Sequence, residues 1–456
     1  MRPFRGSSVY WASLVGFALA VLLLPTRARA DIILYDKDGW SFRTTGMIAA
    51  HYQLVLGPGC PKDPTDPMGI RLVADCGTAT HPTGGDPPTS HGVLVGGKIF
   101  PTGAQDTTDN SLTLSRIRSG FIGTQIGFGA KRQINEDVYI DSLMAVNLND
   151  ISSNRNQNTQ KEVDFREAWA ALTTPGGTLK FGRMYSIFGS ASAPVVLIAY
   201  QYGVGNPCLV SANTISCSSV GAGPLYAQFD AQLRYISPRL AGLELQFAVS
   251  DPVVGPGYTI TPLPRFDGEI NFDYSVNPDL RVRVIGQGVM SKVERVVQMP
   301  AVPARKESKT IWGAMGSAVL DAYGFSAGAG GWTGEGIGAR TIFEIADGTN
   351  PLAYDASTGK LRKGRGLFGN VGYVYKGTGT GAAVGGGTFN MESNPEDKVP
   401  TSGKSVISQS RELHVTVTQK FDALTFIAEY MNWKNTWYWG EVQIINFMGV
   451  GANYEW

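Results

Sequence analysis

Val442-Gln443-Ile444-Ile445-Asn446-Phe447-Met448-Gly449-Val450-Gly451-Ala452-Asn453-Tyr454-Glu455-Trp456 alternates in polarity and stops on an aromatic residue. Successive side chains of a strand point to opposite faces. Trp456, Tyr454, Ala452, Val450 and Met448 therefore share one apolar face. Glu455, Asn453, Gly451, Gly449 and Phe447 share a mixed, smaller one. This pattern suits the closing strand of a barrel, whose last strand pairs with its first. The terminal strand of a soluble sandwich would alternate in the same way.

The other end of the chain bears on compartment. Arg2 and Arg5 precede an apolar run from Tyr10 to Leu24, then Pro25 and the small-x-small sequence Ala28-Arg29-Ala30. That order is the one found in secretory signal peptides. The run is shorter than the roughly 20 residues a spanning helix needs. The expected division is a signal peptide over 1–30, cleaved after Ala30, and one barrel domain over 31–456; an uncleaved anchor is the alternative.

No other stretch resembles a membrane-spanning helix. A membrane-integral mature chain would therefore be a barrel, since only helices and closed barrels satisfy backbone polarity in lipid. With 57 Gly, 20 Phe, 18 Tyr and 9 Trp, but only 17% charged residues, the composition agrees with a barrel half of whose side chains face lipid. Loss of the leader's four arginines (Arg2, Arg5, Arg27, Arg29) would turn the formal charge of +1 into −3. Nothing in this balance suggests a nucleic-acid partner, and no motif calls for a cofactor.

Four cysteines form two local pairs, Cys60 with Cys76 and Cys208 with Cys217, in segments without periodicity. In an exported protein this reads as two loop-closing disulfides. Three pairings are possible, and adjacent pairing closes the shortest loops. The spacing does not match a zinc knuckle, and no metal site is expected.

Segments of about ten residues with alternating polarity recur along the chain, as in membrane barrels. Sixteen are expected, over 41–56, 116–128, 135–149, 164–174, 178–185, 228–237, 241–250, 265–275, 279–290, 310–320, 323–333, 364–376, 381–392, 410–420, 423–433 and 442–456. The glycine-dominated pair 364–376 and 381–392 is the weakest, which leaves fourteen or eighteen strands open. Short turns alternate with long irregular segments over 57–115, 150–163, 186–228, 251–264, 291–309, 334–363 and 393–409. Short turns at one end and long loops at the other distinguish a membrane barrel from a compact soluble domain. The fold class expected is thus all-β, an antiparallel up-and-down transmembrane barrel of about 16 strands. Aromatic residues near strand ends (Trp169, Tyr235, Tyr274, Tyr430, Trp433, Trp437, Trp439, Trp456) are candidates for interfacial girdles.

Five motifs add a resemblance. Arg118-Ser119-Gly120-Phe121-Ile122-Gly123, Arg166-Glu167-Ala168-Trp169-Ala170-Ala171-Leu172, Phe181-Gly182-Arg183-Met184-Tyr185, Arg234-Tyr235-Ile236-Ser237-Pro238 and terminal Tyr454-Glu455-Trp456 occur in this order. They resemble strand motifs of the trimeric, sixteen-stranded porins of Gram-negative outer membranes, the first with a shifted register. The resemblance covers about Phe42 to Trp456. It implies a homotrimer in the outer-membrane bilayer and a water-filled pore for passive diffusion of small solutes and ions. It also implies a third loop folded inward to narrow the pore.

In that family acidic residues on the third loop face basic residues on the wall. Here the segment between Tyr185 and Phe229 contains no Asp, Glu, Lys, Arg or His. The candidate constriction instead offers Val195, Leu197, Tyr200 and Tyr202. Arg43, Arg118, Arg166 and Arg234 fall on inward parity, and Arg183 occupies a motif position of ambiguous parity. Asp141, Asp230, Glu244, Asp267 and Glu269 are the acidic wall candidates. Unpaired arginines would favour anions, whereas plain ion pairing within the wall would leave selectivity untouched. A substrate-specific channel for phosphate, another anion or a sugar is the alternative function. A lipase-like enzyme is disfavoured, because only His51, His81, His91 and His414 exist and no G-x-S-x-G elbow occurs.

Overall fold

The computed structural model describes residues 31–58, 92–95, 98–101, 111–118, 120, 124–148, 163–199, 219–252, 261–299, 302–339, 342, 353–354, 359–394, 407–438 and 440–456. The expected leader, all four cysteines, Trp439, and Tyr200 and Tyr202 lie outside these residues.

The strands, in chain order, are β1 (Ile32–Lys37), β2 (Trp40–Pro58), β3 (Gly92–Val95), β4 (Lys98–Pro101), β5 (Ser111–Arg118), β6 (Thr124–Gln133) and β7 (Tyr139–Leu148). Next come β8 (Val163–Thr174), β9 (Gly177–Tyr185), β10 (Phe229–Ile236), β11 (Leu243–Ser250), β12 (Arg265–Asn277), β13 (Leu280–Met299) and β14 (Val302–Ala322). The last are β15 (Phe325–Glu335), β16 (Lys363–Tyr375), β17 (Thr380–Met391), β18 (Ile407–Phe421), β19 (Leu424–Trp437) and β20 (Val442–Glu455).

Every neighbouring pair is antiparallel, and β20 closes on β2 through the register Met47↔Glu455 to Leu56↔Asn446. β5 and β6 pair with upper and lower halves of β2, so they form one interrupted stave. With β1 set apart as a short extension that pairs only with the start of β2, the wall is a closed barrel of sixteen staves. β3 and β4 form a separate hairpin.

All sixteen expected segments are staves. The glycine-rich pair does form β16 and β17, because backbone pairing needs no side chain and the small residues make room inside. The Asn370 amide occupies the space where a side chain on Gly385 would stand. Three boundaries differ from expectation. The second stave is split, the segment 291–309 is mostly paired strand rather than loop, and Ile32–Lys37 is an additional strand.

Side-chain parity follows the sequence pattern on the outside. Ile48, Leu233 and Leu367 are 54%, 59% and 63% exposed, as lipid-facing residues of an isolated barrel should be. At the seam, Trp456 and Gly46 exchange two backbone hydrogen bonds, N to O, at 2.9 and 3.0 Å. The indole lies flat against Gly46, where a Cβ would come within 2.7 Å of the ring. Glycine is thus required here by contact rather than by backbone angle.

Inside, the wall departs from polar-inward alternation. On β13–β17 the lumen-facing residues include Val289, Ile311, Met315, Val319, Trp332, Phe368 and Phe389, all buried. They are buried because the segment after β9 folds into the barrel and lies on them. Its 3-10 turn Ser190–Ser192, short helix Ala193–Val196 and second 3-10 turn Leu197–Ala199 bring Phe188, Ala191 and Val195 into one cluster with that wall. Pro194 sits in the helix's first turn, where its missing N–H is not needed.

Polar staples fix the loop in place. The Gln287 side-chain carbonyl accepts from the Gly189 and Ala191 amides at 3.1 and 3.4 Å, and its NH2 donates to the Ser190 hydroxyl at 2.6 Å. Asn370 Nδ2 donates to the Val195 carbonyl at 2.8 Å, while its Oδ1 lies 2.8 Å from His414 Nε2. His414 Nδ1 is in turn 2.7 Å from Glu412. Trp332 Nε1 donates to the Gly223 carbonyl at 2.6 Å, on the returning limb of the loop. Gly223 has φ +136° and packs against the Leu367 carbonyl, a conformation and a proximity that exclude larger residues.

Two outcomes follow. Replacing Gly46 with Leu displaces the Trp456 indole and should lower the temperature at which the barrel loses heat-modifiable migration in SDS gels by several degrees. Asn370→Leu strands a buried carbonyl and a histidine, each worth about 1–3 kcal/mol. It should leave the barrel folded but expose the inner loop to proteases that cannot cut it in the parent.

Candidate functional site

On the inner wall over β6 to β13, cross-strand register arranges the charges in rows. One row runs Lys131, Asp141, Ala171, Lys180, Arg234, Ala248, Asp267, Val289 over β6 to β13. A second, one step nearer the loop end, runs Arg43, Gly129, Leu143, Trp169, Gly182, Gln232, Ser250, Arg265. In each row the direct neighbours are a strand spacing apart, about 5 Å.

Most charges in these rows neutralise one another. Arg43 pairs with Asp141 at 3.0 Å and Asp31 at 3.3 Å. Fully buried Arg265 binds Asp230 and Asp267, each at 2.8 Å. Arg239 binds Glu244 at 3.0 Å and Asp273 at 3.2 Å, and Arg281 also pairs with Asp273. Arg283 meets Asp321 at 3.2 Å. Glu269 accepts from Gln246 at 3.1 Å and Gln287 at 2.6 Å. Gln287 thereby couples the charged wall to the loop staple.

Lys180, Arg234 and Lys131 are exceptions. Lys180 and Arg234 face each other directly across β9 and β10. Among the described residues no carboxylate lies within 4 Å of either. Lys180 Nζ sits 3.4 Å above the Trp169 ring. Arg234 donates to Gln232 Oε1 at 2.9 Å, to Gln246 at 3.4 Å and to the Tyr185 carbonyl. Lys131, further along the row, sits 4.0 Å above the Tyr139 ring.

The inward loop carries no charged residue. A gap of about 160 Å³ separates Val196 and Leu197 from Gln125, Asn147, Arg166 and Glu167 on the wall. A second gap of about 270 Å³, nearer the short turns, lies between Leu197 and Ile198 and the Arg283–Asp321 pair. Val195 points fully into the loop–wall core, whereas Leu197 is 39% exposed toward the lumen.

The sequence candidates separate accordingly. Arg43, Arg234, Asp141, Asp230, Glu244, Asp267 and Glu269 are on the inner wall. Arg118 stands opposite lumen-facing His51 in the β2–β5 register, and its backbone alone is described. Arg166 is the extra residue of a bulge in β8; its guanidinium donates to the Tyr226 hydroxyl at 2.9 Å and lies 5.6 Å from the Phe229 ring centroid. Arg183 is exposed on the outer face, opposite Ala168 and Ala231. The inward basic residue of that strand is Lys180, which motif matching passed over and strict parity from buried Met184 would have found. Arg265 and Arg283 were also missed. Of the aromatic candidates, Tyr235 and Tyr274 are exposed on the outside, while Trp433 and Trp437 are 2% and 1% exposed within the interior. Their odd parity on β19 turns them inward, away from the girdle.

The barrel, its inward loop and its wall charges can be set beside known proteins. A search of curated proteins returns no match. Among solved structures the fold is similar to the outer membrane channel DcaP of Acinetobacter baumannii, with TM-score 0.59 and 12% identity over 95% of this chain and 100% of that one. It is also similar to an anion-selective porin from Comamonas acidovorans, with TM-score 0.54 and 8% identity over 91% and 100% of the two chains. Salmonella typhi OmpF in complex with daunomycin gives TM-score 0.52 and 12% identity over 93% and 100%. The profile of a family described as Gram-negative porin matches residues 95–456. The chain therefore belongs to the Gram-negative porin family and forms a channel of the outer membrane.

Proposed function

We propose that this channel passes small hydrophilic solutes and ions by passive diffusion with a weak preference for anions. The observation that carries the reading is the Lys180–Arg234 pair. Like charges set directly opposite on adjacent strands destabilise a sheet, and among the described residues no carboxylate stands within 4 Å of either cation. A passing anion relieves their repulsion, and the neutral inward loop adds no competing negative charge. Glu167, two rows nearer the loop end, and the self-paired remainder of the wall keep the preference weak. The protein works as a homotrimer, and export removes residues 1–30.

The test is a planar bilayer under a KCl gradient. The purified protein should insert in steps of ohmic conductance, with three sublevels per insertion, and its reversal potential should favour chloride. In K180Q/R234Q the permeability ratio should fall to unity or below, because the facing pair of cations without a close carboxylate is gone. R183Q should leave it unchanged, since that side chain is outside. A cation-preferring parent, or a double variant identical to it, would overturn the anion assignment. Saturating rather than ohmic conductance would favour a substrate-specific channel. Intact mass of the exported chain should match a start at Asp31.

A further inference from the structure

Below the inner loop, at the turn end, lies the gap of about 270 Å³ that neither the charge rows nor the loop staples fill. One register row forms its floor: Asp321, Ser326, Gly372, Ala383 and Thr416, on five successive strands from β14 to β18. Gly372 and Ala383, in the middle of that row, are small enough to leave the space open. Pro194, Leu197 and Ile198 of the loop roof it without a polar side chain.

One end of the floor is charged. Arg283 Nη2 donates to Asp321 Oδ2 at 3.2 Å, and Asp321 Oδ1 accepts from the Ser326 hydroxyl at 2.6 Å. A guanidinium can give a carboxylate two parallel bonds. This one gives a single bond, and its Nε has no partner among the described residues. Both side chains keep an open face, 25% and 34% exposed. The neighbouring charges, Arg281 and Asp273, are paired with each other. At the far end Thr416 is 1% exposed, and its Oγ1 has no partner among the described residues. The cavity is therefore not the wholly apolar kind that stays dry.

We infer that this cavity binds an α-amino acid as its zwitterion. The ligand carboxylate lies on Arg283, its ammonium on Asp321, and an uncharged aliphatic side chain between the loop roof and the Gly372–Ala383 floor. A simple anion on Arg283 would be left beside the Asp321 carboxylate, and a simple cation on Asp321 would be left beside Arg283. A guest carrying both charges on one carbon satisfies each partner of the pair that it opens. A sugar fits less well, because the roof offers its hydroxyls nothing and Tyr373, the aromatic residue at the rim, is on outward parity and 50% exposed. The volume, near the low end of the roughly 300–1,000 Å³ of small-molecule sites, suits a metabolite of this size. The inference rests on the channel reading, which brings solute to the gap, but not on the anion preference, whose cations stand on β9 and β10.

Saturation-transfer NMR on the full-length protein in detergent tests this. The probes are L-leucine, 4-methylpentanoate (leucine without its ammonium), 3-methylbutylamine (leucine without its carboxylate) and glucose. Leucine should bind with a dissociation constant on the order of 1 mM, and each of the others about tenfold or more weakly. R283Q and D321N should each reduce leucine binding to the level of the single-charge analogues. A383L should abolish it by filling the floor with both charges in place. All three variants should keep heat-modifiable migration, and R183Q, outside the lumen, should bind as the parent does. Equal binding of leucine and 4-methylpentanoate, glucose binding as tightly as leucine, or undiminished binding by R283Q or D321N would overturn the inference. In a planar bilayer, a parent that conducts but binds no leucine overturns this inference alone. A parent that binds leucine but does not conduct supports the site and overturns the channel reading.

Discussion

In hydrocarbon no water meets a stray N–H or C=O, so every backbone group of a spanning strand must be paired within the protein. The β2–β20 seam is where this chain satisfies that condition. Every other strand pairs with a sequence neighbour through a turn or loop, but β2 and β20 are nearly the whole chain apart. The seam therefore has the largest loop-closure cost and the least local help. Its details are consistent with that burden: ten registered pairs, a reciprocal bond pair at Trp456 and Gly46, and an indole laid over a residue without a side chain.

Closure creates an interior, and the inward loop divides it. A loop buried inside a barrel must satisfy its own backbone and lay its apolar residues against something apolar. The wall over β13–β17 supplies that surface, and Gln287, Asn370 and Trp332 supply the hydrogen bonds. The cost is that polar-inward alternation fails on those strands. Most of the fixed charge lies on the remaining wall, where arginines and acids consume one another, whereas Lys180, Arg234 and Lys131 have no carboxylate within 4 Å among the described residues. The charge rows over β6 to β13 and the loop anchor thus occupy different parts of one lumen, linked at Glu269 and Gln287.

Strand identity was legible because period-two alternation depends only on which face meets lipid. It held even through Gly385, Gly386 and Gly387, since backbone pairing carries those residues. Boundaries at the loop end were less legible. Above the bilayer nothing enforces alternation, so the upper reaches of β13 and β14 look like loop in one dimension. The site was legible as to type but only partly as to residue. The neutrality of the inward loop could be read directly, but which cations lack acids depends on register between strands that are distant in sequence. Arg43 and Lys180 look alike in the chain; the difference is that Asp141 reaches only the first. Motif matching also misled at Arg183, because a matched position one residue out of phase points to the opposite face.

The β13–β14 hairpin has a further consequence. Its strands are 20 and 21 residues long, against the roughly 9–11 that cross a bilayer. β12 pairs with β13 only as far as Met290, and β15 pairs with β14 only as far as Trp312. Beyond those points no further strand pairs with either edge among the described residues, and unpaired strand edges are prone to add strands from other molecules. Lys292, Glu294, Lys306, Glu307 and Lys309 line this part of the hairpin, with Lys306 and Glu294 paired at 3.7 Å. Charge at these positions keeps neighbouring ribbons from zipping together on a crowded cell surface, so this protrusion can stay long without becoming a seed for aggregation.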